Sequence, residues 1–284
     1  MMSFSGGSNG LPTKTSKSIQ HHIVQEVTLN IVVCIKQVPD SAARVVAQEG
    51  QATWGDAPLV MNPWDEYAVE TALVLQEEHG GEVTVISIGG ETVPEALKTG
   101  LAMGCNSAVH INDPGLENAD SQAVARVLAA AINQIGEIEI ALFGKQAIDG
   151  DMGVTAAQTA RVLGWPVLSL ASSVSVADGK IRVERNVEEG RQVVEGPLPA
   201  AISVVKDIGE PRYPSFMGIR KASRATIPVW TLADLGIEAP LISVRWPEIT
   251  NPPVSEVTNE IISGDSPEEI AKILVDKIIE EKVL

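Results

Sequence analysis

The chain of 284 residues holds two cysteines, Cys34 and Cys105, too few for a disulfide framework or a thiolate metal cage. A reducing compartment suits that scarcity, and no spacing of His, Cys and acids stands in as a metal site. Aromatic residues amount to 4%, so a hydrophobic content of 44% has to pack its core from Val, Ile, Leu and Ala. Bases are outnumbered, with 21 Lys and Arg against 37 Asp and Glu, and the net charge of -16 excludes a surface built to follow a nucleic-acid backbone. No apolar run approaches the ~20 residues that cross a bilayer. The loops that leave the strand ends, "CIKQVPDS", "MNPWDE", "SIGGET" and "GKQAIDGDMG", contain neither the dinucleotide pattern GxGxxG, nor the Walker lysine motif, nor GxSxG. No His stands beside a Ser or Cys motif either: His79 reads as a helix end and His110 as part of a strand. By elimination, the chain reads as a binder of a nucleotide and of proteins.

What is present is alternation. "LNIVVCI" is a short β-branched run of the kind found in buried parallel strands. Residues 63–79 follow helix logic, with Pro63 in the first turn, Asp65 and Glu66 at the positive end of the dipole, and "GG" after the end. "EVTVISIG", "SAVHIN" and "IEIALFG" read as further strands, each followed by a helical segment. The segment "DSQAVARVLAAAINQI" sets Val124, Val127, Leu128, Ala131 and Ile135 on one stripe. The fold expected is α/β: a doubly wound, mostly parallel sheet, Rossmann-like and suited to an adenine nucleotide. After about residue 172 the rhythm changes to a hairpin with its turn at "ADGK", and "LPAAISVV" returns to the main sheet. Residues 206–224, with five bases against two acids, read as a basic loop in an acidic protein. Three parts are expected: a flexible tail over 1–28, the nucleotide-binding domain over 29–237, and over 238–284 an extended arm ending in an amphipathic helix. That helix, opened by Ser266, Pro267 and Glu269, either grips a partner or packs back on its own domain.

Ligands of open parallel sheets sit beyond the carboxyl ends of the strands, where loops enter helix N-termini. The loop "GKQAIDGDMG" occupies such a place. Backbone N–H groups around Gly150, Met152, Gly153 and Val154 could cradle a phosphate there, or the loop is an ordinary strand-to-helix turn with Asp capping. Asp149 and Asp151 are awkward company for an anion.

The segments "NIVVCIKQVPDS", "MNPWDEYAVETAL", "ALKTGLAMG", "LFGKQAIDGD", "LGWPVLS", "VERNVEEG", "LPAAISV" and "EPRYPSFMGIRKA" occur in an order that resembles the beta subunit of electron-transfer flavoprotein, over about residues 29–237. The resemblance implies an electron-carrier subunit without catalysis of its own. Its partner would be an alpha subunit holding most of the redox FAD, and AMP would be bound structurally in this chain. Electrons would come from acyl-CoA or related dehydrogenases and leave to a quinone oxidoreductase, in the cytoplasm or, in a eukaryote, the mitochondrial matrix. Carried over by position, the AMP contacts implied are Cys34, the stretch Asn62, Pro63, Trp64 and Asp65, then Ile88. The loop adds Gly144, Lys145, Gln146, Ala147, Ile148, Asp149, Gly150, Asp151, Met152, Gly153, Val154 and Thr155. Arg185 matches a basic residue near the flavin, followed by Asn186 where many relatives carry Glu. Phe216 and Met217, with Arg220 and Lys221 beside them, fall where the family docks partner dehydrogenases. An electron-bifurcating branch, with a second FAD in place of AMP and NADH as donor, shares "CIKQVPD" and "IDGD". The residues "MGVTA" and "NPWD" depart from it.

Overall fold

The computed structural model describes residues 28–246, 248–253 and 259–281; the expected tail, apart from Thr28, lies outside the described residues. In chain order the elements begin with β1 (Ile31–Cys34), β2 (Gln37–Pro39), β3 (Val46–Gln48), β4 (Gln51–Thr53), β5 (Leu59–Met61) and α1 (Pro63–His79). Then come β6 (Val83–Ile88), α2 (Pro94–Met103), β7 (Ser107–Ile111), α3 (Ser121–Ile135), β8 (Ile140–Gly144) and α4 (Thr155–Leu163). The last are β9 (Val167–Ala177), β10 (Lys180–Val187), β11 (Gly190–Pro197), β12 (Ala200–Val204), α5 (Phe216–Ala222), β13 (Val229–Trp230) and α6 (Pro267–Glu280). The described residues fall into two compact units, one within Met1–Arg44 and Trp54–Trp246, the other within Val45–Thr53 and Pro247–Leu284.

The first unit carries a nine-stranded sheet in the order β11-β10-β9-β12-β8-β1-β6-β7-β13. From β9 through β13 all neighbours are parallel, and β10 and β11 extend the β9 edge as an antiparallel meander. This is the doubly wound, Rossmann-like α/β architecture. The meander turns at Asp178 and Gly179, both at positive φ, as a tight hairpin requires. Because β-strand side chains alternate, β1 feeds both layers. Ile31 and Val33 pack in one apolar cluster with Leu73 of α1 and Leu97 of α2, while Val32 and Cys34 pack in another with Leu128 of α3 and Ala160 of α4. Buried on both faces, β1 is a continuous apolar run.

Two results differ from a plain reading of the sequence. The basic segment expected to be a loop contains the helix α5, capped by Ser215, whose hydroxyl accepts from the Gly218 N–H at 2.9 Å. Seven residues with a central glycine leave too little periodicity and propensity to reveal a helix. In the second unit, β3 and β4 form a hairpin beside which Asn251 runs. Its side chain accepts from Ala47 N–H at 2.7 Å and donates to Ala47 O at 3.0 Å. In the same unit α6 begins as expected, with Ser266 accepting from the Glu269 N–H at 3.2 Å.

Gly144, at the end of β8, lies against the start of α1. A Cβ there would run into the Asp65 carboxylate and sit 2.6 Å from the Trp64 carbonyl carbon. Gly144→Ala is expected to cost about 1–3 kcal/mol by forcing the backbone apart, read as a lower urea midpoint with unchanged slope. An unchanged midpoint would show that the two elements have slack.

Candidate functional site

β1 is the strand at which the winding reverses. From β1 the chain passes to β6 and β7 on one side, then returns as β8 on the other. Loops leaving β1 and β8 therefore diverge and open a crevice at their carboxyl ends, the place where such sheets take ligands. A cavity of about 410 Å³ fills it, within the range of small-molecule sites.

Its walls are built by side chains that tie neighbouring loops together. Asn62 is 1% exposed and stands just before α1. It does not cap its own helix; Pro63 at the first position already removes one unpaired N–H. Its amide instead donates to Gln146 O at 2.9 Å and accepts from Ile148 N–H at 3.1 Å, so one buried side chain holds the loop after β8 as a β-bridge would. Asp65 is buried too and accepts from the Lys36 N–H at 2.7 Å, just past the end of β1. Burial raises its carboxyl to about 7, against the opposing pull of hydrogen bonds from the Lys36 backbone, the Asn62 side chain and the Gly144 backbone and of the Lys36 charge. The Cys34 thiol, beside it on β1, is pushed well above the usual thiol range by burial and then by Asp65.

The two awkward acids are already engaged. Asp149 receives the Lys36 ammonium at 2.7 and 2.6 Å on its two oxygens, across the crevice from β1 to the loop after β8. Asp151 accepts from Gln146 Nε2 at 2.7 Å and sits at φ 48°, which Asp tolerates better than most residues. Beyond them α4 starts without any side-chain cap, and its first residues Thr155 and Ala156 line the cavity. The positive end of the helix therefore lies at the edge of the cavity. The opposite wall is apolar, with Leu116, Val124, Leu128 and Phe143 among its residues.

Among the residues singled out from sequence, the cavity is lined by Cys34, Asn62, Asp65, Ile88, Gly144 to Ala147, Asp149 to Gly153 and Thr155. Pro63, Trp64, Ile148 and Val154 are not part of that lining. Trp64 turns elsewhere, under the Lys145 ammonium 5.3 Å from its ring centre and beside Tyr67. Arg185 lies away from the cavity on β10, donating to Gln192 Oε1 at 2.7 Å. Sequence reasoning missed Lys36 and the wall from Leu116 to Leu128. Lys36 adjoins Cys34, so proximity to the strand end could have flagged it. Val124 and Leu128 are indistinguishable in sequence from the core stripe they extend. Phe216, Met217, Arg220 and Lys221 all lie exposed on α5.

Fold and crevice together define a doubly wound α/β protein with a cavity at its switch point. Residues 55–235 match the electron transfer flavoprotein domain. The chain is 36% identical over 267 residues to the electron transfer flavoprotein subunit beta of Mycobacterium leprae, spanning 88% of this chain and 99% of that one. It is 39% identical over 217 residues to the subunit of the same name from Mycobacterium bovis, with 74% and 82% covered. A third relative, the caffeyl-CoA reductase-Etf complex subunit CarD of Acetobacterium woodii, is 33% identical over 262 residues, 90% of this chain and 100% of its own length. The chain belongs to the electron transfer flavoprotein family, among its beta subunits. Among the described residues no helix is long and apolar enough to cross a membrane.

Asp65 gives the site a pH signature. Its carboxyl rises from 3.8 to about 7 on folding, so the folded state holds a proton that the unfolded state has released, and stability from this group is full below about pH 4 and lost as pH rises through about 7. In urea titrations at stepped pH, the advantage of wild type over Asp65→Asn should shrink across that window by roughly 2–4 kcal/mol and level off above it. An advantage that widens with pH there would contradict the assignment.

Proposed function

We propose that this chain, as the beta subunit of a heterodimeric electron-transfer flavoprotein, binds AMP structurally in the crevice between β1 and β8. The observation that carries the reading is the division of the cavity's chemistry. The loop acids are bonded within the protein to Lys36 and Gln146, and the uncapped start of α4 supplies amides for a phosphate. The apolar wall of Leu116, Val124, Leu128 and Phe143 suits an adenine face, and the buried polar pair Asn62 and Asp65 fixes the loop around it. AMP carries no electrons. The redox chemistry would be supplied by FAD held mainly by the alpha subunit, and Arg185 on β10 would lie toward that flavin. The bacterial origin of the relatives supports a cytoplasmic place.

A second reading has one observation in its favour. A recess of about 250 Å³ adjoins the cavity through Ile88, Gly89 and Leu116, room that a larger ligand such as a second FAD could use, with NADH as donor. The loop residues Met152 to Thr155 and the "NPWD" stretch depart from that branch, and AMP is preferred.

Two surfaces would serve the partners. On α6 the apolar residues Ile270, Leu274, Val275 and Ile279 are exposed, as are Leu241, Val244 and Trp246 before it. These suit an arm that grips the alpha subunit. On α5, Phe216 is 79% and Met217 66% exposed, with Arg220 and Lys221 beside them. An apolar anchor with a basic rim suits a dehydrogenase surface with an apolar pocket and acidic margin, the anchor giving affinity and the charges speeding encounter. Electrons would then pass from acyl-CoA-type dehydrogenases to a quinone oxidoreductase.

In the purified heterodimer, Phe216→Ala should slow flavin reduction by a partner dehydrogenase about tenfold at limiting concentration, with the flavin absorption spectrum unchanged. Equal rates for the two proteins would remove Phe216 from the docking role.

A further inference from the structure

The segment leading into α5, residues 209–215, has no regular secondary structure, yet it is held at one point by an unusually dense set of bonds. The Arg212 backbone N–H and Nε donate to Glu70 Oε2 at 2.9 and 2.8 Å, and Nη2 donates to Glu70 Oε1 at 2.9 Å. Nη1 reaches Glu77 Oε1 at 2.6 Å. Glu70 and Glu77 stand two turns apart on one face of α1, which is why a single guanidinium can span both. The fork matches the Glu70 carboxylate in the bidentate way that only arginine permits.

Exposed ion pairs contribute little to stability, and Glu77, with its side chain 61% exposed, is of that kind. Glu70 is not: its side chain is 16% exposed and both of its oxygens are occupied by Arg212. Four residues on stands Phe216. Between them Pro214 restricts the backbone, and Ser215 caps α5. Beyond Phe216, Gly218 brings α5 against the carbonyl of Ala102 at the end of α2, where any Cβ would collide with that oxygen, and Ala222 is 2% exposed. One side of α5 is therefore seated on α2 while its start is tethered to α1. The residues left outward are Tyr213, 94% exposed, with Phe216, Met217 and Ile219.

We infer that Arg212 is a positioning residue for docking: its clamp on Glu70 of α1 presets the aim of α5, so that Phe216 meets its partner as a rigid anchor. The inference rests on the reading of α5 as the docking surface. Its consequence is that the partner need not order this segment on binding, a cost otherwise charged against affinity. Loss of the clamp should weaken encounter with the dehydrogenase and leave turnover within the docked complex alone.

The test is a double-mutant cycle in the heterodimer, with its flavin content confirmed in every variant, reading KM and kcat for a partner dehydrogenase. Phe216→Ala should raise KM about tenfold, and Arg212→Gln about three- to tenfold with kcat unchanged. Glu70→Gln should reproduce the Arg212→Gln effect, because the clamp and not a direct partner contact is what it removes; Arg212→Lys, unable to form the fork, should recover only part. On the Phe216→Ala background Arg212→Gln should add less than about twofold, since an anchor already removed cannot be misaimed. Full multiplication of the two effects, an unchanged KM in Arg212→Gln, or a silent Glu70→Gln would each overturn the positioning role while leaving the docking reading intact. A silent Phe216→Ala would overturn the docking reading itself.

Discussion

The structure depends on how the carboxyl ends of β1 and β8 are held where they part. Two adjacent parallel strands that lead in opposite directions leave backbone groups with no strand to pair with, and buried groups of that kind are costly. Here the start of α1 supplies the missing partners. Asp65 receives the Lys36 N–H at 2.7 Å, and Asn62 pairs with the loop at Gln146 and Ile148. Gly144 then has no room for a side chain because α1 has come so close. One four-residue stretch thus fixes the width of the crevice, the path of the loop and the proton held by the buried carboxyl.

From that constraint follows the answer to the charge problem. The two acids of the loop after β8 are each engaged at short range, one by a cation and one by a neutral amide. Lys36 reaches across the crevice to Asp149, and Gln146 folds back on Asp151. What then faces the cavity is an uncapped helix start and an apolar wall. The same economy appears at α5. Arg212 is consumed by Glu70 and Glu77, while the bases Arg220 and Lys221 are left exposed.

Much of the fold was legible because it repeats. The alternation of buried apolar runs with amphipathic helices fixes a doubly wound sheet, and "ADGK" announces its turn. The parts that were not legible are those set by distant contacts. The side chain of Asn62, singled out in sequence only as a contact implied by the resemblance, acts as a brace for a loop 84 residues away. The α5 helix is too short and too glycine-broken to show a period, and its place is decided by the Ala102 carbonyl and the Glu70 carboxylate. Val124 and Leu128 belong to the stripe that sequence assigns to packing on the sheet, and only the switch point brings that end of it to the wall of the cavity.

The most direct test of the central claim is the identity of what the crevice holds. Heterodimer purified without added nucleotide is denatured, and the released small molecules are identified and counted by mass spectrometry. The account requires one AMP and one FAD per heterodimer. Two FAD with no AMP, or no adenine nucleotide beyond the single FAD, would contradict it.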